Sequence, residues 1–191
     1  MIVNETSKKT VYTLDDYVAF FDAAEKGSIK EIQRMLDNGI GPDTVGPRGW
    51  TALMKAAAYN RGEVALELLK RGAEVDSMNY MNRTALMVAC KKGHYDMVLL
   101  LLFYGANPLL TDVQGKNSLM FAAEGGQTNV VGLIIDRFPE LDLMLCDRSG
   151  RNALDIAIFN GHLNAAKIVE SASALQYLKN RSENAVASFA G

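Results

Sequence analysis

The stretch TALMVACKKGH, residues 84–94, decides the fold, because related text occurs three more times in the chain. The other copies are TALMKAAAYNRG at 51–62, NSLMFAAEGGQ at 117–127 and NALDIAIFNGH at 152–162. One alanine serves as a marker in each copy, and an earlier unit adds a fifth, so that the markers are Ala23, Ala56, Ala89, Ala122 and Ala157. They are separated by 33, 33, 33 and 35 residues. A period of this length indicates a stacked repeat protein.

Each unit carries signals for two short helices. Four residues after every marker there is a Gly or an Asn, residue types that accept left-handed backbone and commonly end helices. In the first four units a second apolar stripe follows, as at Val98, Leu101 and Leu102 of the third unit. Spacings of three and four residues place these side chains on one face of a second helix. Because one unit cannot bury this face alone, we expect the units to stack on each other.

This pattern resembles the ankyrin repeat, which has the same period and the text G-x-T-A-L-M-x-A-A followed by V-x-x-L-L-x-x-G-A. The resemblance covers about residues 16–174 in five units. It implies an all-α fold, an ankyrin-repeat solenoid of five stacked helix-turn-helix units joined by β-hairpin-like loops.

The expected domain organisation follows from the repeat register. A flexible N-terminal segment at 1–12 and a disordered C-terminal tail at 182–191 flank a repeat domain at 13–181, with a short closing helix at 174–179. Residues 13–16, TLDD, indicate a capping box at the first helix, and Glu170 stands where interior units have Leu or Ile, as expected for a last unit. The units run about 16–47, 48–80, 81–113, 114–148 and 149–181.

Three departures from the family pattern have structural consequences. The family's histidine is methionine at Met54, Met87 and Met120, which predicts apolar packing in place of a hydrogen-bond network. Its threonine is asparagine in the last two units. The fourth unit has two extra residues around Phe138 and Pro139, so its loop should bulge.

Composition bounds the function. The chain has 191 residues and a net charge of −2, which gives no overall attraction to nucleic acid or to anionic lipid. The richest apolar run, MVLLLLFYGA at 97–106, is too short to span a bilayer, and residues 1–9 contain no apolar signal region. The two cysteines lack CxxC spacing, which favours a reducing compartment. We therefore expect a cytoplasmic monomer.

The residues that often carry chemistry have structural interpretations here. His94 and His162 occupy the same position in separate repeats, so they are not expected to share a metal. Cys90 replaces a marker-pair alanine and should be a buried small side chain, while Cys146 has no histidine nearby in sequence. We predict no catalytic residue, no cofactor and no metal, and an enzyme would require turnover that the sequence does not indicate.

The resemblance implies that partners bind the hairpin tips and the adjoining surface of the first helices, which is concave in the family and which we call the hairpin face. It assigns five positions in each of four units to this face. Seven of these twenty residues are basic, one is acidic and four are aromatic, a composition typical of binding hot spots. The predicted partner-binding residues are Arg48, Trp50, Tyr59, Tyr80, Met81, Arg83, Lys91, Lys92, Lys116, Arg148, Arg151 and Phe159.

The basic residues predict a ladder of positive charge, formed by Arg48, Arg83, Lys116 and Arg148 or Arg151, that suits an extended acidic segment. The leading hypothesis is thus a non-enzymatic adaptor that binds a protein, and Trp50→Ala or Arg83→Glu should weaken binding without unfolding the chain. One alternative is that the ladder binds nucleic acid or another polyanion, which the acidic remainder of the chain opposes. Another is that these cations only keep the array in solution.

Overall fold

The computed structural model describes the backbone of residues 12–189 and the side chains of residues 12–179. Helices dominate this part of the chain and form five helix-turn-helix pairs, which confirms the predicted all-α repeat solenoid. The pairs are α1 (Leu14–Lys26) and α2 (Ile29–Asp37); α3 (Ala52–Ala58) and α4 (Gly62–Lys70); α5 (Ala85–Lys92) and α6 (Tyr95–Phe103); α7 (Ser118–Glu124) and α8 (Thr128–Arg137); and α9 (Ala153–Phe159) and α10 (Leu163–Phe189).

The helices form two rows. The first helices pack in the order α1, α3, α5, α7, α9, and the second helices pack in the order α2, α4, α6, α8, α10. The apolar core lies between the rows and runs continuously from the first unit to the last. Each layer therefore covers the apolar surface of the layer beside it, as the repeat period requires.

The predicted stripes fill this core. Leu68, Leu101 and Ile134 are fully buried at equivalent positions of successive units. Complete burial of a side chain of this size stabilises the fold by about 1.5–3 kcal/mol. Met87, at the family's histidine position, is also fully buried, which confirms its apolar role. Glu170, which corresponds to Leu69, Leu102 and Ile135 of the interior units, is exposed.

The first helices begin at side-chain caps. The hydroxyl oxygens of Thr51 and Thr84 each accept a hydrogen bond, of 3.3 Å, from the backbone N–H three residues later. Asn117 and Asn152 do the same through their amide oxygens at 3.0 Å. Thr and Asn are interchangeable here because both are favourable N-cap residues. The predicted capping box at Thr13 is present.

Side chains at the start of the second helices connect neighbouring units. Arg61 Nε donates to the carbonyl oxygen of Glu25 at 2.8 Å, and Gln127 Nε2 donates to that of Lys91 at 3.3 Å. The two histidines take the equivalent positions and bond to backbone carbonyl oxygens of the preceding unit, His94 through Nδ1 at 2.9 Å and His162 through Nε2 at 3.1 Å. Their role is thus structural.

The hairpins form a second connection between units. Asn79 N–H donates to Arg83 O at 3.1 Å within one hairpin. Tyr80 N–H donates to Arg48 O of the preceding hairpin, also at 3.1 Å. Equivalent bonds between hairpins occur twice further along the array. The hairpin tips are therefore held in register with each other.

The C-terminal end of the repeat domain differs from the prediction. Helix α10 continues through residues 182–189, which were expected to be a tail, and it incorporates the closing helix expected at 174–179. Its sequence contains neither Gly nor Pro, so no residue in it favours an earlier end. At the other end, Tyr12 is half-buried and its hydroxyl donates to the carbonyl oxygen of Asn38. Residues 1–11, 190 and 191 lie outside the described residues.

The insertion in the fourth unit divides between a helix and a loop. Helix α8 has 10 residues, whereas α6 has 9, and the connection 138–152 is one residue longer than the connection 104–117. Helix α8 ends at Arg137 and is followed by Phe138 and Pro139, whereas α4 and α6 are followed within two residues by Gly72 and Gly105 in left-handed backbone. Gln176 Nε2 of α10 donates to Leu141 O at 2.9 Å and holds the longer loop against the last unit.

Candidate functional site

The structure places all twelve predicted residues on the hairpins or at the ends of the first helices. Among the aromatic members of this set, Tyr80 and Phe159 are the most exposed, each with 75 % of its surface accessible. Tyr59 and Met81 are exposed to a smaller extent, and Trp50 is half-buried against the core. The residues therefore share one face, but they differ in exposure and in whether they form ion pairs.

Arg83 takes part in a connection between two units. Its Nε lies 3.3 Å from Oδ2 of Asp112, whose side chain is completely buried, and its guanidinium lies 5.3 Å from the centroid of the Phe121 ring. The other oxygen of Asp112 accepts hydrogen bonds from the backbone N–H groups of Gln114 and Lys116. Arg83 thus neutralises a buried carboxylate that organises the next hairpin.

Lys91 and Lys116 share one carboxylate. The Nζ atoms of Lys91 and Lys116 lie 2.8 Å and 3.1 Å from the two oxygens of Glu124. Only 11 % of the Lys116 side chain is accessible, so this cation is largely hidden. Burial alone would raise the pKa of Glu124, but hydrogen bonds and charge from both lysines outweigh burial and leave the pKa below its ordinary value.

Arg151, like Arg83, pairs with a buried aspartate and lies beside an aromatic ring, but its aspartate belongs to the same hairpin. Its Nη2 lies 3.2 Å from Oδ2 of the buried Asp147, and its guanidinium lies 5.4 Å from the Phe159 ring centroid. Burial acts to raise the pKa of Asp147, but backbone N–H groups of Arg151 and Ser149, together with the Arg151 charge, lower it overall. This carboxylate is therefore held ionised inside the hairpin.

The expected ladder of positive charge is consequently discontinuous. Arg83, Lys116 and Arg151 are each paired with an anion that the repeat pattern does not predict beside them. Among the described residues, the side chains of Arg48, Lys92 and Arg148 make no ion pair. The accessible cations thus lie at fewer positions than the sequence predicts.

The sequence contains a signal for the missed carboxylates. An Asn or Asp occurs five residues before three of the N-caps, at Asn79, Asp112 and Asp147. Each uses Oδ1 to accept hydrogen bonds from the backbone N–H groups two and four residues later. Asn and Asp stabilise turns in this way, so the spacing alone indicates a side chain that points into its own hairpin.

The first three units contain an open cavity on the hairpin face, with a volume of about 710 Å³. Its floor includes Lys55, which was not among the predicted residues. The Nζ atom of Lys55 lies 3.0 Å from Oε2 of Glu25, 5.7 Å from the Trp50 ring centroid and 5.9 Å from the Tyr59 ring centroid. Hydrogen bonds from Lys55 and then from Tyr59 lower the pKa of Glu25. Lys55 therefore holds two predicted aromatic residues in place.

Acid is expected to destabilise the fold through Glu124. Because its pKa is lowered on folding, the stability that it contributes is complete above the ordinary value of 4.5 and is lost as the pH falls through the lower folded value. Urea unfolding between about pH 6 and about pH 3 should show this decline, and Glu124→Gln should reduce its slope. Glu140→Gln, at an exposed residue, is the control. Identical slopes for wild type and Glu124→Gln would contradict the assignment.

The remaining features of interest are metal-ligating groups, the Cys90 thiol and apolar helices. No group of three or more His, Cys, Asp and Glu is arranged there to hold a metal ion. Burial raises the pKa of the Cys90 thiol, which keeps it protonated and agrees with its role as a small core side chain. No described helix is both long enough and apolar enough to cross a membrane.

Paired helices in two rows, joined by hairpins that present one exposed face, define a helical repeat protein. The family model for ankyrin repeats (3 copies) matches residues 20–112 and 106–175. The chain belongs to the ankyrin repeat family.

Two curated relatives match a shorter region. The chain is 43 % identical over 54 residues to the protein named ankyrin repeat, SAM and basic leucine zipper domain-containing protein 1, from both Ovis aries and Bos taurus. The match covers 28 % of this chain and 11 % of each relative. The similarity thus concerns a small part of those proteins.

Proposed function

We propose that this protein is a non-enzymatic interaction module that binds an acidic segment of a partner protein on its hairpin face. Ankyrin repeats are generally protein–protein interaction modules and are typically non-enzymatic. The observation that carries the proposal is the cavity in the first three units, where the half-buried Trp50 and the exposed Tyr59 lie beside the unpaired cations Arg48 and Lys92. A cytoplasmic location, on the basis of the cysteine usage, and a monomeric state are parts of the proposal.

The charges favour an acidic partner over a neutral one. Arg48, Lys92 and Arg148 are accessible and make no ion pair within the described chain. A partner carboxylate can approach them without displacing an existing carboxylate. Arg83, Lys116 and Arg151 contribute less to affinity, because their charges already act within the fold. A few accessible cations also speed association with an acidic partner and suppress binding of basic ones.

The same pairings weaken the alternative of a polyanion. Binding to nucleic acid depends on many cations that release counterions from phosphates. Three of the predicted ladder residues are neutralised by neighbouring carboxylates. Two of the three carboxylates, those of Asp112 and Asp147, belong to the hairpins themselves. A protein segment, which needs fewer charges and uses aromatic contacts, suits this surface better.

Affinity capture with two matched variants tests the proposal. One variant reverses the unpaired cations of the hairpin face, with Arg48→Glu, Lys92→Glu and Arg148→Glu. The other reverses three exposed cations on second helices, with Lys30→Glu, Lys70→Glu and Arg137→Glu. Both lower the net charge equally. Captured proteins should be retained by wild type and by the second-helix variant but lost, by tenfold or more, from the hairpin-face variant.

The comparison also defines failure. If the two variants lose the same proteins, total charge and not the hairpin face determines binding. If the hairpin-face variant loses none, the partner binds elsewhere. Thermal unfolding of all three proteins is the control, and since every substituted side chain is exposed, their midpoints should agree closely.

A further inference from the structure

The cavity in the first three units is lined and shaped so that it can bind one side chain of a partner as an anchor. It lies between helix α1, the first hairpin, helix α3 and the end of helix α5. Val18, Phe21, Trp50 and Tyr59 supply its apolar and aromatic lining. Its volume of about 710 Å³ lies within the range of pockets that bind drug-sized ligands, so it can hold one side chain together with parts of the residues beside it. Tyr59 and Val18 remain exposed, so this apolar surface is accessible.

The aromatic walls are held in position before any partner binds. Lys55 lies within 6 Å of the ring centroids of both Trp50 and Tyr59, and Glu25 bonds to Lys55 and to Tyr59. Phe21 packs against Gly46, where an added Cβ would lie 2.6 Å from the Phe21 ring. Binding to such a site loses little side-chain entropy, because its walls are already ordered.

The rim of the cavity is positively charged. Among the residues that line the cavity, Arg48, Lys55 and Lys92 are basic and Asp22 is the single acidic one. Lys55 is paired with Glu25 and Asp22 with Lys26, which leaves Arg48 and Lys92 available. The backbone of Arg48 has φ 61°, an uncommon value for any residue other than glycine. The hairpin thus presents a cation at a position where glycine would be the relaxed choice.

We propose that this cavity receives one aromatic or branched aliphatic side chain of the partner segment, and that carboxylates directly beside that side chain contact Arg48 and Lys92. The inference rests on the proposed function and adds the position and chemistry of the anchor. Charge complementarity selects the occupant: an apolar side chain fits the walls, and only neighbouring acidic residues satisfy the two free cations on the rim. The other end of the hairpin face, around Phe159 and Arg148, then has a secondary role.

Peptide selection tests this anchor without a known partner. The probe is a phage-displayed library of random peptides of about 16 residues, selected on the full chain; such a peptide spans about 50 Å when extended. Enriched peptides should share one aromatic or branched aliphatic residue with Asp or Glu within two positions. Two variants are compared with wild type: Trp50→Ala, and the double variant Arg48→Glu with Lys92→Glu. Each should lower the affinity for the enriched peptides at least about tenfold. The charge variant keeps the test valid if Trp50→Ala does not fold.

A matched variant at the other end of the face separates the two proposals. Phe159→Ala combined with Arg148→Glu also removes an exposed aromatic ring and an unpaired cation. If enriched peptides depend on this pair and not on the cavity residues, the anchor inference is wrong while the hairpin face still binds. If the peptides depend on neither set, the anchor inference is wrong, and affinity capture alone decides whether the hairpin face binds. Enrichment of peptides without the acidic–apolar pattern, or of none, overturns the anchor and leaves the affinity-capture test of the hairpin face unchanged.

Discussion

Arg83→Glu is expected to lower the free energy of unfolding by about 3 kcal/mol, so this variant would be defective in folding before it could report on binding. The physical reason is Asp112, whose carboxylate is completely buried 3.3 Å from the Arg83 Nε. The substitution removes its cation and adds a second negative charge. The same carboxylate orders the next hairpin through two backbone N–H groups, so its destabilisation should spread to that hairpin. Urea unfolding at neutral pH measures the loss.

Two further variants show whether charge is the cause. Arg148→Glu makes the same change at an exposed hairpin cation without an ion pair, and it should alter stability by no more than about 0.5 kcal/mol. Arg83→Gln combined with Asp112→Asn removes both charges while the amide oxygen can still accept the hairpin N–H groups. This pair should recover most of the loss. Equal stability of Arg83→Glu and Arg148→Glu would contradict the structural role of Arg83.

Gly125→Ala should lower the free energy of unfolding by about 3 kcal/mol, a large effect for one added methyl group. Gly125 ends helix α7 with φ −84°, so alanine meets no backbone strain there. The added Cβ would instead lie 2.1 Å from the carbonyl oxygen of Lys91 in helix α5. Backbone cannot rotate away as a side chain can, so the two helices must separate. Urea or thermal unfolding of the variant measures the cost.

Gly132→Ala is the matched control, because the same atom is added with the opposite expected sign. Gly132 lies inside helix α8. Leaving out its chain neighbours and the nearby backbone of the same helix, no heavy atom lies within 4 Å of the position that an added Cβ would take. Alanine should therefore stabilise the chain by about 0.5–1 kcal/mol through its higher helix propensity. If Gly125→Ala were as stable as Gly132→Ala, helices α5 and α7 could not lie as close together as the structure places them.

The repeat register was accessible to sequence analysis because it depends on spacing along the chain. Markers such as Ala56 and Ala89 identified the layers, and the caps at Thr84 and Asn117 followed from local chemistry. The end of the last helix was not accessible, since α10 contains no residue that stops it. Its length is decided by helix propensity and by packing against α8, and neither has a distinct marker in the sequence.

The residues predicted to bind a partner lie together on the hairpin face in the structure, whereas their ion pairs were not predicted. Position within the repeat indicates where Arg83 and Lys116 lie, but not which carboxylates are beside them. Asp112 is 29 residues from Arg83 along the chain, and Lys55 meets a glutamate 30 residues away. Pairs of this kind form only when layers stack, so counting charges on one face overstates the positive charge that a partner would encounter.

The amino-acid sequence alone therefore determined the layers, their helices and the face on which the hairpins lie, because each depends on interactions within one unit or on a pattern repeated at constant spacing. Only the tertiary structure decided which cations remain available and that Trp50, Lys55 and Tyr59 surround a cavity with Arg48 and Lys92 on its rim. The cavity and the Arg83–Asp112 pair arise from side chains of different layers brought within a few ångströms, and Coulomb and packing energies depend on those distances and not on separation along the chain.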